Sequence, residues 1–369
     1  YYRQIEKDNT TKNSNMKVNI FLPWPAFNPG GGPKIMYEYA NMFCKMGHDV
    51  MVYSISTTDY DTFYKYPHWL RAIKNRIRFH HFRPSWYNLD ERVKCTTIPR
   101  MKDKYVRDAD VCMSTCWTIA YALHDLSPEK GKKVNLIQDY ERWIGNNIEK
   151  LHESYKLPIK HVVIADYLAD IVEQHSGVRP PIVYNGIDTN RFFLKENIKD
   201  RNNHTISMLY SEEERKGTQY GLEAFRIVKK KIPNLKVRLF GVFPEPDNLE
   251  NWIEYNQKPD DLCSLYNSTA IFFTPSNGEG WALPPAESMF CGCALVCTNI
   301  GGHQAYAKNG ITALTVEPRT PQDMAEKLLM LLENPEYRVE MATRGNEFIQ
   351  QFTWKAASEK MLRIFNEKL

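Results

Sequence analysis

The sequence lacks the features that define several large classes of protein. Its 369 residues contain no apolar run near 18 residues, which argues against a membrane-spanning helix. The eight cysteines form no C-x-x-C pair, so neither a zinc site nor a thioredoxin-like redox site is indicated. The net charge is only +4, and we therefore expect no nucleic-acid partner.

What the chain does contain indicates a packed enzyme-sized protein. Hydrophobic residues make up 43% of the sequence and aromatic residues 12%, enough for two cores, and the length suits two domains. Most cysteines lie in apolar runs, which predicts buried, reduced thiols and a cytoplasmic protein. Residues 1–15 are polar, so we expect a disordered leader and a globular sequence that starts near Met16.

Short β-rich runs alternate with longer helical patterns along the chain, which is typical of parallel sheets with crossover helices. A polar stretch at 195–204 separates two such series and predicts a boundary between α/β units at 16–195 and 196–352. A C-terminal helix over 353–369 can pack back on the first unit. The predicted strands are 18–22, 49–55, 111–114, 134–138, 162–165, 206–210, 237–240, 252–255, 270–273 and 294–297.

The most informative stretch is 270–298, where a predicted strand leads through a glycine-rich loop into a helix that starts at Pro284 and Pro285. The amides of residues 280–283 and the helix dipole predict an anion site. Glu279 and Glu287 flank this site. Carboxylates repel phosphate, so we expect them to face hydroxyl groups of a sugar or ribose. Alternatively, Glu287 only complements the helix dipole.

The E-x7-E spacing within E-G-W-A-L-P-P-A-E-S-M closely resembles the donor-site signature of retaining GT-B glycosyltransferases of the family-four type. Further motifs occur in the family's order: Gly30-Gly31-Gly32, Gly47-His48-Asp49-Val50, Asn185-Gly186-Ile187-Asp188, Arg215-Lys216-Gly217 and Gly301-Gly302. The resemblance implies an α/β fold of GT-B architecture, with two Rossmann-like doubly wound domains facing across a cleft. It further implies an acceptor-side domain at 16–195 and a nucleotide-sugar-binding domain at 196–352.

The resemblance also implies roles for individual residues. Glu279 would bind hydroxyls of the donor sugar, Glu287 the ribose, and Lys216 with Arg215 the diphosphate. Such an enzyme needs no metal and no cofactor, and it would use a nucleotide-diphosphate sugar and a glycan or lipid-linked acceptor in polysaccharide or glycoconjugate biosynthesis. The other implied donor-binding residues are Gly280, Trp281, Ala282, Leu283, Gly31, Gly32 and Tyr255.

The sequence departs from the family pattern at several positions. Tyr210 stands where the family usually has an arginine, Ala282 replaces a glycine, and Ala305 replaces an acidic residue. The histidine of the family's acceptor-side loop has no clear counterpart, and Trp117, Asp139 and Glu141 lie in that neighbourhood. A non-catalytic GT-B subunit that binds a glycan or a partner glycosyltransferase is therefore the alternative.

Residues 65–107 contain twelve Lys or Arg and three acidic residues. Within this stretch a basic amphipathic helix near Trp69 and Ile73 precedes Phe82 and Trp86. That pattern suits peripheral contact with an anionic membrane at its inner face. The alternatives are an ordinary amphipathic helix packed on the sheet and a solvated basic surface.

Overall fold

The computed structural model of the chain describes residues 15–58, 81–142 and 147–367. Contacts divide the chain into two compact units. The first comprises residues up to 136, 141–161 and the last residues from 365, and the second comprises 137–140 and 162–364. The chain therefore passes between the units more than once.

The first sheet has six strands in the order β3-β2-β1-β4-β5-β6, and its described pairings are parallel. Its core includes Phe21 and Tyr53, whose rings stack at 5.0 Å between centroids. The helices α1 to α4 occur along the same part of the chain. The elements are β1 (Lys17–Leu22), α1 (Gly31–Lys45), β2 (Asp49–Ile55), β3 (Lys94–Ile98), β4 (Val111–Thr115), α2 (Trp117–His124), β5 (Lys132–Ile137), α3 (Ile148–Ser154), β6 (Lys160–Val163) and α4 (Asp166–Ser176).

The second sheet repeats this topology. Its parallel strands run β12-β11-β10-β7-β8-β9. The core contains Phe225 and Phe273, with ring centroids 5.6 Å apart. The elements are β7 (Thr205–Leu209), α5 (Thr218–Lys231), β8 (Lys236–Gly241), β9 (Ile253–Gln257), α6 (Leu262–Asn267), β10 (Ile271–Thr274), α7 (Leu283–Phe290), β11 (Ala294–Thr298), β12 (Ala313–Val316), α8 (Pro321–Glu333), α9 (Pro335–Ile349) and α10 (Trp354–Asn366).

Both sheets have the strand order of doubly wound nucleotide-binding folds, in which the order reverses beside the first strand of the sheet. The predicted fold class is confirmed in this respect. Two strands, β3 and β12, were not predicted, because their short apolar runs sit among polar residues. The strand predicted at 162–165 ends at Val163, since Ala165 already precedes the first turn of α4.

The predicted domain boundary at 195/196 lies inside the second unit, which begins its main segment at Val162. Residues ahead of the predicted linker pack on this unit. The Phe192 ring lies 6.0 Å from that of Tyr266, and the Lys195 amide donates to the Asn267 side chain at 2.7 Å. The helix predicted at 353–369 is observed as α10, and only its last residues, from Phe365, belong to the first unit.

All eight cysteines are free thiols, and seven are buried. Burial raises the pKa of Cys95 and of Cys112 to about 11, so these thiols are protonated at neutral pH. Among the described residues, no helix has both the length and the apolar composition needed to cross a membrane.

Candidate functional site

The residues with the strongest sequence signal follow the two strands that flank the point where the second sheet reverses its order. Arg215 and Lys216 end a short 3-10 turn after β7, and Glu279 lies in the loop after β10. In open α/β sheets, ligands bind beside the carboxyl ends of strands at such a point. The fold therefore brings these three side chains to the edge where a ligand is expected.

Glu279 forms an ion pair with both cations. Its carboxylate accepts from Lys216 Nζ at 2.7 Å and 3.0 Å, and from Arg215 Nη1 at 3.3 Å. The Ser276 hydroxyl donates to the same carboxylate at 2.9 Å. Only 9% of the Glu279 side chain is exposed. Burial alone would raise the pKa of this carboxyl, but the charges of Lys216 and Arg215 lower it below its ordinary value.

This pairing differs from the predicted arrangement, in which the cations face a diphosphate and Glu279 faces hydroxyl groups. Because the three residues meet at one end of the sheet, their opposite charges pair with each other. Arg215 also donates through Nε to Glu213 at 2.7 Å. The charges of the two cations are thus balanced by two carboxylates, and Lys216, with 16% of its side chain exposed, is the more enclosed cation.

The loop that carries Glu279 packs closely against residues 137–140. A Cβ at Gly280 would lie 2.0 Å from the Gln138 carbonyl oxygen, so only glycine fits there. Asp139 follows in this segment, and its carboxylate accepts from the Tyr140 amide at 2.8 Å. Burial raises the pKa of Asp139, with a further contribution from Glu279, and Arg215 acts in the opposite direction. Asp139 therefore shares its electrostatic environment with the predicted donor residues.

Helix α7 begins beside this loop. The Ala282 amide donates to the Gly302 carbonyl at 3.3 Å, because the Gly301-Gly302 turn approaches the loop. This amide therefore already has an acceptor, although the sequence analysis predicted that the amides of residues 280–283 bind an anion. Trp281 is buried, and its ring contacts that of Tyr306 at 5.1 Å. Leu283 is the first helical residue.

Glu287 is buried in α7 and is the fifth residue of the helix. It therefore lies in the second turn rather than in the first, where the interaction of a carboxylate with the helix dipole would be strongest. The interpretation of Glu287 as a dipole-compensating residue loses support from this position.

Tyr255 lies on β9 at the edge of the second sheet, and its hydroxyl donates to the Phe243 carbonyl at 2.5 Å. Its ring meets that of Tyr210 edge to face at 5.5 Å. Tyr210 thus packs beside Tyr255 at the position where the family pattern has an arginine, and it brings no positive charge there.

The remaining predicted residues lie in the first unit. Gly31 and Gly32 form the start of α1, after Gly30 in extended conformation. Glu141 accepts from the Trp117 amide at 3.0 Å, at the first residue of α2. Asp139 and Glu141, which the sequence places in one acceptor-side group, thus have separate partners in different units.

The stretch 65–107 is described only from residue 81, and the predicted amphipathic helix lies outside the described residues. The described aromatic side chains pack within the first unit. Phe82 lies 4.9 Å from the Phe27 ring, and Trp86 Nε1 donates to the Ala26 carbonyl at 2.7 Å. Arg83 donates to three main-chain carbonyls. These residues stabilise a loop of the protein, and membrane contact stays a prediction.

Two residues near Glu279 were missed by the sequence analysis. His303 follows the Gly301-Gly302 pair, so a signal existed; it is buried, and its Nδ1 donates to the Thr298 carbonyl at 2.9 Å. Burial lowers the pKa of His303, which favours the neutral ring. Tyr167 had no signal, yet its hydroxyl donates to the Glu279 carbonyl at 3.0 Å.

Within the described residues, no group of three or more His, Cys, Asp or Glu side chains could hold a metal ion. Charge at the site described above comes from side chains of Arg, Lys and Glu.

Comparison with known proteins finds a family model that matches part of the second half of the chain. Residues 189–348 match the family model described as glycosyl transferases group 1. An uncharacterised glycosyltransferase of Methanocaldococcus jannaschii is 21% identical over 219 residues, which are 56% of this chain. The match spans 59% of that relative's own length.

Several solved structures, including the following two, resemble nearly the whole chain. Sucrose-phosphate synthase from Thermosynechococcus elongatus is 14% identical, with 95% of this chain and 98% of that chain covered and a TM-score of 0.73. Anabaena HepE in complex with UDP-glucose is 16% identical, with 95% and 99% covered and a TM-score of 0.71. The chain thus has the two-domain α/β fold of these structures, and its residues 189–348 match the glycosyl transferases group 1.

Proposed function

We propose that the protein transfers a sugar from a nucleotide-diphosphate sugar to a glycan or lipid-linked acceptor, with retention of the anomeric configuration and without a metal ion. The ion pair of Lys216 and Arg215 with Glu279, at the reversal point of the second sheet, is the observation that carries this proposal. The bound UDP-glucose of HepE and the glycosyl transferases group 1 match support it.

The two cations supply what the breaking bond requires. As the sugar–phosphate bond lengthens, negative charge develops on the diphosphate, and preorganised positive charge stabilises it. Glu279 accepts from Lys216 Nζ at 2.7 Å, and this contact fixes the position of the ammonium group. This positive charge replaces the divalent ion that other phosphate chemistry uses, and activity should therefore persist in EDTA.

Glu279 has a second role in this proposal. A carboxylate accepts charge-assisted hydrogen bonds from sugar hydroxyls. With its pKa lowered, Glu279 is ionised at neutral pH and can accept from Lys216 and a hydroxyl together. Glu287 would bind the ribose, and the amides of Gly280, Trp281 and Leu283 would bind the sugar and the distal phosphate.

The first unit would receive the acceptor, with Glu141 and Trp117 as candidate residues. The glycines at the start of α1 would allow a close approach of the main chain to the diphosphate. The reduced state of the cysteines supports a cytoplasmic protein, and the basic stretch 65–107 supports a peripheral position at the inner face of a membrane.

The proposal is tested by thermal shift with UDP-, GDP- and dTDP-sugars, followed by transfer assays with the donor that binds. A ligand that binds only the folded state raises Tm. NMR of the product gives the anomeric configuration. We expect one donor class to raise Tm and to support transfer in EDTA, whereas a non-catalytic subunit would show no turnover of any donor. Inversion of the anomeric centre would overturn the retaining mechanism alone.

A further inference from the structure

Tyr167 of the second unit contacts several segments around Glu279. It is the second residue of α4, and its hydroxyl donates to the main-chain carbonyl of Glu279 at 3.0 Å. The same hydroxyl lies 3.4 Å from Asp139 Oδ1. One side chain thus contacts two segments that lie 140 positions apart in the sequence.

The ring of Tyr167 fills the space beside a third segment. A Cβ added at Gly301 would lie 2.3 Å from the Tyr167 ring, so the ring and the Gly301-Gly302 turn are in direct contact. That turn in turn accepts the Ala282 amide at the start of α7. Three of the loops that shape the site therefore meet at this tyrosine.

The main chain of Glu279 sets the position of its carboxylate. The carboxylate must stay within 2.7 Å of Lys216 and 3.3 Å of Arg215 to hold both cations. The loop that carries it includes Gly278 and Gly280, which restrict the backbone least among the amino acids. An external hydrogen bond to the Glu279 carbonyl is therefore the kind of contact that can fix this loop.

We propose that Tyr167 is a positioning residue, whose hydroxyl holds the Glu279 main chain so that the carboxylate stays between Lys216 and Arg215. This inference rests on the proposed function, in which Glu279 orients the donor sugar. The Tyr167 hydroxyl also contacts the Asp139 carboxylate, so the positions of Asp139 and of the Glu279 main chain depend on the same hydroxyl. Misplacement of a reacting group by a fraction of an ångström is costly to the rate, and we expect the effect in kcat more than in KM.

The test is the variant Tyr167→Phe, which keeps the ring and removes the hydroxyl. We expect kcat to fall about fivefold or more, the factor that corresponds to the free energy of one neutral hydrogen bond when its loss raises the activation barrier. The donor KM should change less than about twofold, because the diphosphate contacts remain. Tyr121→Phe is the matched control, since the Tyr121 hydroxyl also donates to a main-chain carbonyl, that of Lys150 at 2.7 Å, in the first unit.

A double-mutant cycle with Glu279→Gln separates positioning from a general structural role. If Tyr167 acts through Glu279, then Tyr167→Phe lowers kcat in the wild-type background and has little further effect in the E279Q background. An equal loss in both backgrounds, or an unchanged kcat for Tyr167→Phe in an active protein, would overturn the inference alone. A wild-type protein that neither binds nor turns over any nucleotide sugar would overturn the proposed function and this inference with it.

Discussion

Each unit contains an arginine that is paired with a carboxylate, but the two pairs lie at opposite ends of their sheets. In the first unit, Arg107 donates to Asp49 Oδ2 at 2.8 Å, to the Asp49 carbonyl at 2.7 Å and to Asn19 at 2.9 Å. Asp49 is the first residue of β2 and Asn19 lies in β1, so the contacts of Arg107 link these two strands near their amino ends. In the second unit, Arg215 and Lys216 pair with Glu279 beyond the carboxyl ends of strands.

The difference shows why similar chemistry serves different purposes. The guanidinium of Arg107 donates its hydrogen bonds to Asn19 and Asp49, which belong to strands of the sheet. We therefore assign Arg107 a stabilising role. Lys216 and Arg215 depend on a carboxylate that lies in a loop, at the edge where doubly wound sheets bind ligands. We therefore expect the Arg107 pair to determine stability and the Glu279 pair to determine activity.

The largest effect expected from this comparison is on activity. Lys216→Ala should lower kcat by about 10²–10³-fold, because a preorganised charge at the leaving group is lost. The free energy of unfolding should change much less than the activation free energy, since Arg215 and Ser276 still contact Glu279. Steady-state kinetics and urea unfolding measure the two quantities.

Lys195→Ala is the control, because Lys195 pairs with Asp261 at 3.5 Å on the surface of the same unit. A Lys216→Ala variant that keeps wild-type kcat would remove the distinction between the two pairs.

Arg107→Ala should have the opposite profile. The Arg107 side chain is 23% exposed, and its loss removes the hydrogen bonds that it donates to Asp49 Oδ2 and Asn19 Oδ1. We expect the unfolding free energy to fall by about 2 kcal/mol, between the values typical of exposed and buried pairs. The kcat of the folded fraction should not change.

Arg92→Ala is a matched control for stability, since Arg92 also pairs with an aspartate, Asp90, but is 62% exposed. If both variants lose the same small amount of stability, the stabilising role of Arg107 is wrong.

A third prediction concerns the main chain beside Glu279. Gly280→Ala places a Cβ 2.0 Å from the Gln138 carbonyl, so the loop must shift, and we expect a loss of about 1–3 kcal/mol in stability together with a raised donor KM. Gly278→Ala in the same loop has no atom within 4 Å of the added Cβ and should be nearly neutral. Thermal unfolding and donor titration of the two variants would distinguish them, and equal effects would contradict the close approach.

The smallest effect expected concerns two aspartates, whose contributions to stability should change with pH in opposite directions. Arg107 lowers the pKa of Asp49 against the effect of burial, so its contribution to stability is present above the unfolded-state pKa and is lost as the pH falls. Burial raises the pKa of Asp139, so its contribution has the opposite sign and is lost as the pH rises.

At pH 7 we therefore expect Asp49→Asn to lower Tm and Asp139→Asn to raise it slightly. The gain of Asp139→Asn should vanish in mildly acidic buffer, where the wild-type carboxyl takes up its proton. Thermal scans from about pH 3 to about pH 8, which span the range in which carboxyl groups titrate, would measure both effects. A decrease in Tm at pH 7 for both variants would contradict this assignment.

The sequence predicted most strands, and it predicted a candidate site at the loop around Glu279, because both predictions depend on local patterns. Buried parallel strands are continuous apolar runs, and the loop that contains Glu279 is a compact motif. The pairing of Lys216 with Glu279 was not predicted, because the two residues lie 63 positions apart and only the sheet order brings them together.

The position of Asp139 beside Glu279 and the contacts of Tyr167 could not be predicted for a related reason. Apart from the contact between the Asp139 and Tyr167 side chains, their hydrogen-bond and packing partners described above are main-chain atoms and glycines, which leave no side-chain pattern in the sequence. The strand predicted at 162–165 ends at Val163, because Ala165 is already the residue before the first turn of α4.

The four residues 137–140 have a consequence for how the protein can be divided. They lie between segments of the first unit in sequence, yet they supply the carbonyl that packs on Gly280. A fragment that starts at Val162 would lack residues 137–140, although it contains Glu279, Lys216 and Arg215. In a chimera made by exchanging the amino-terminal halves of two such proteins, one face of the loop around Glu279 would always come from the other parent.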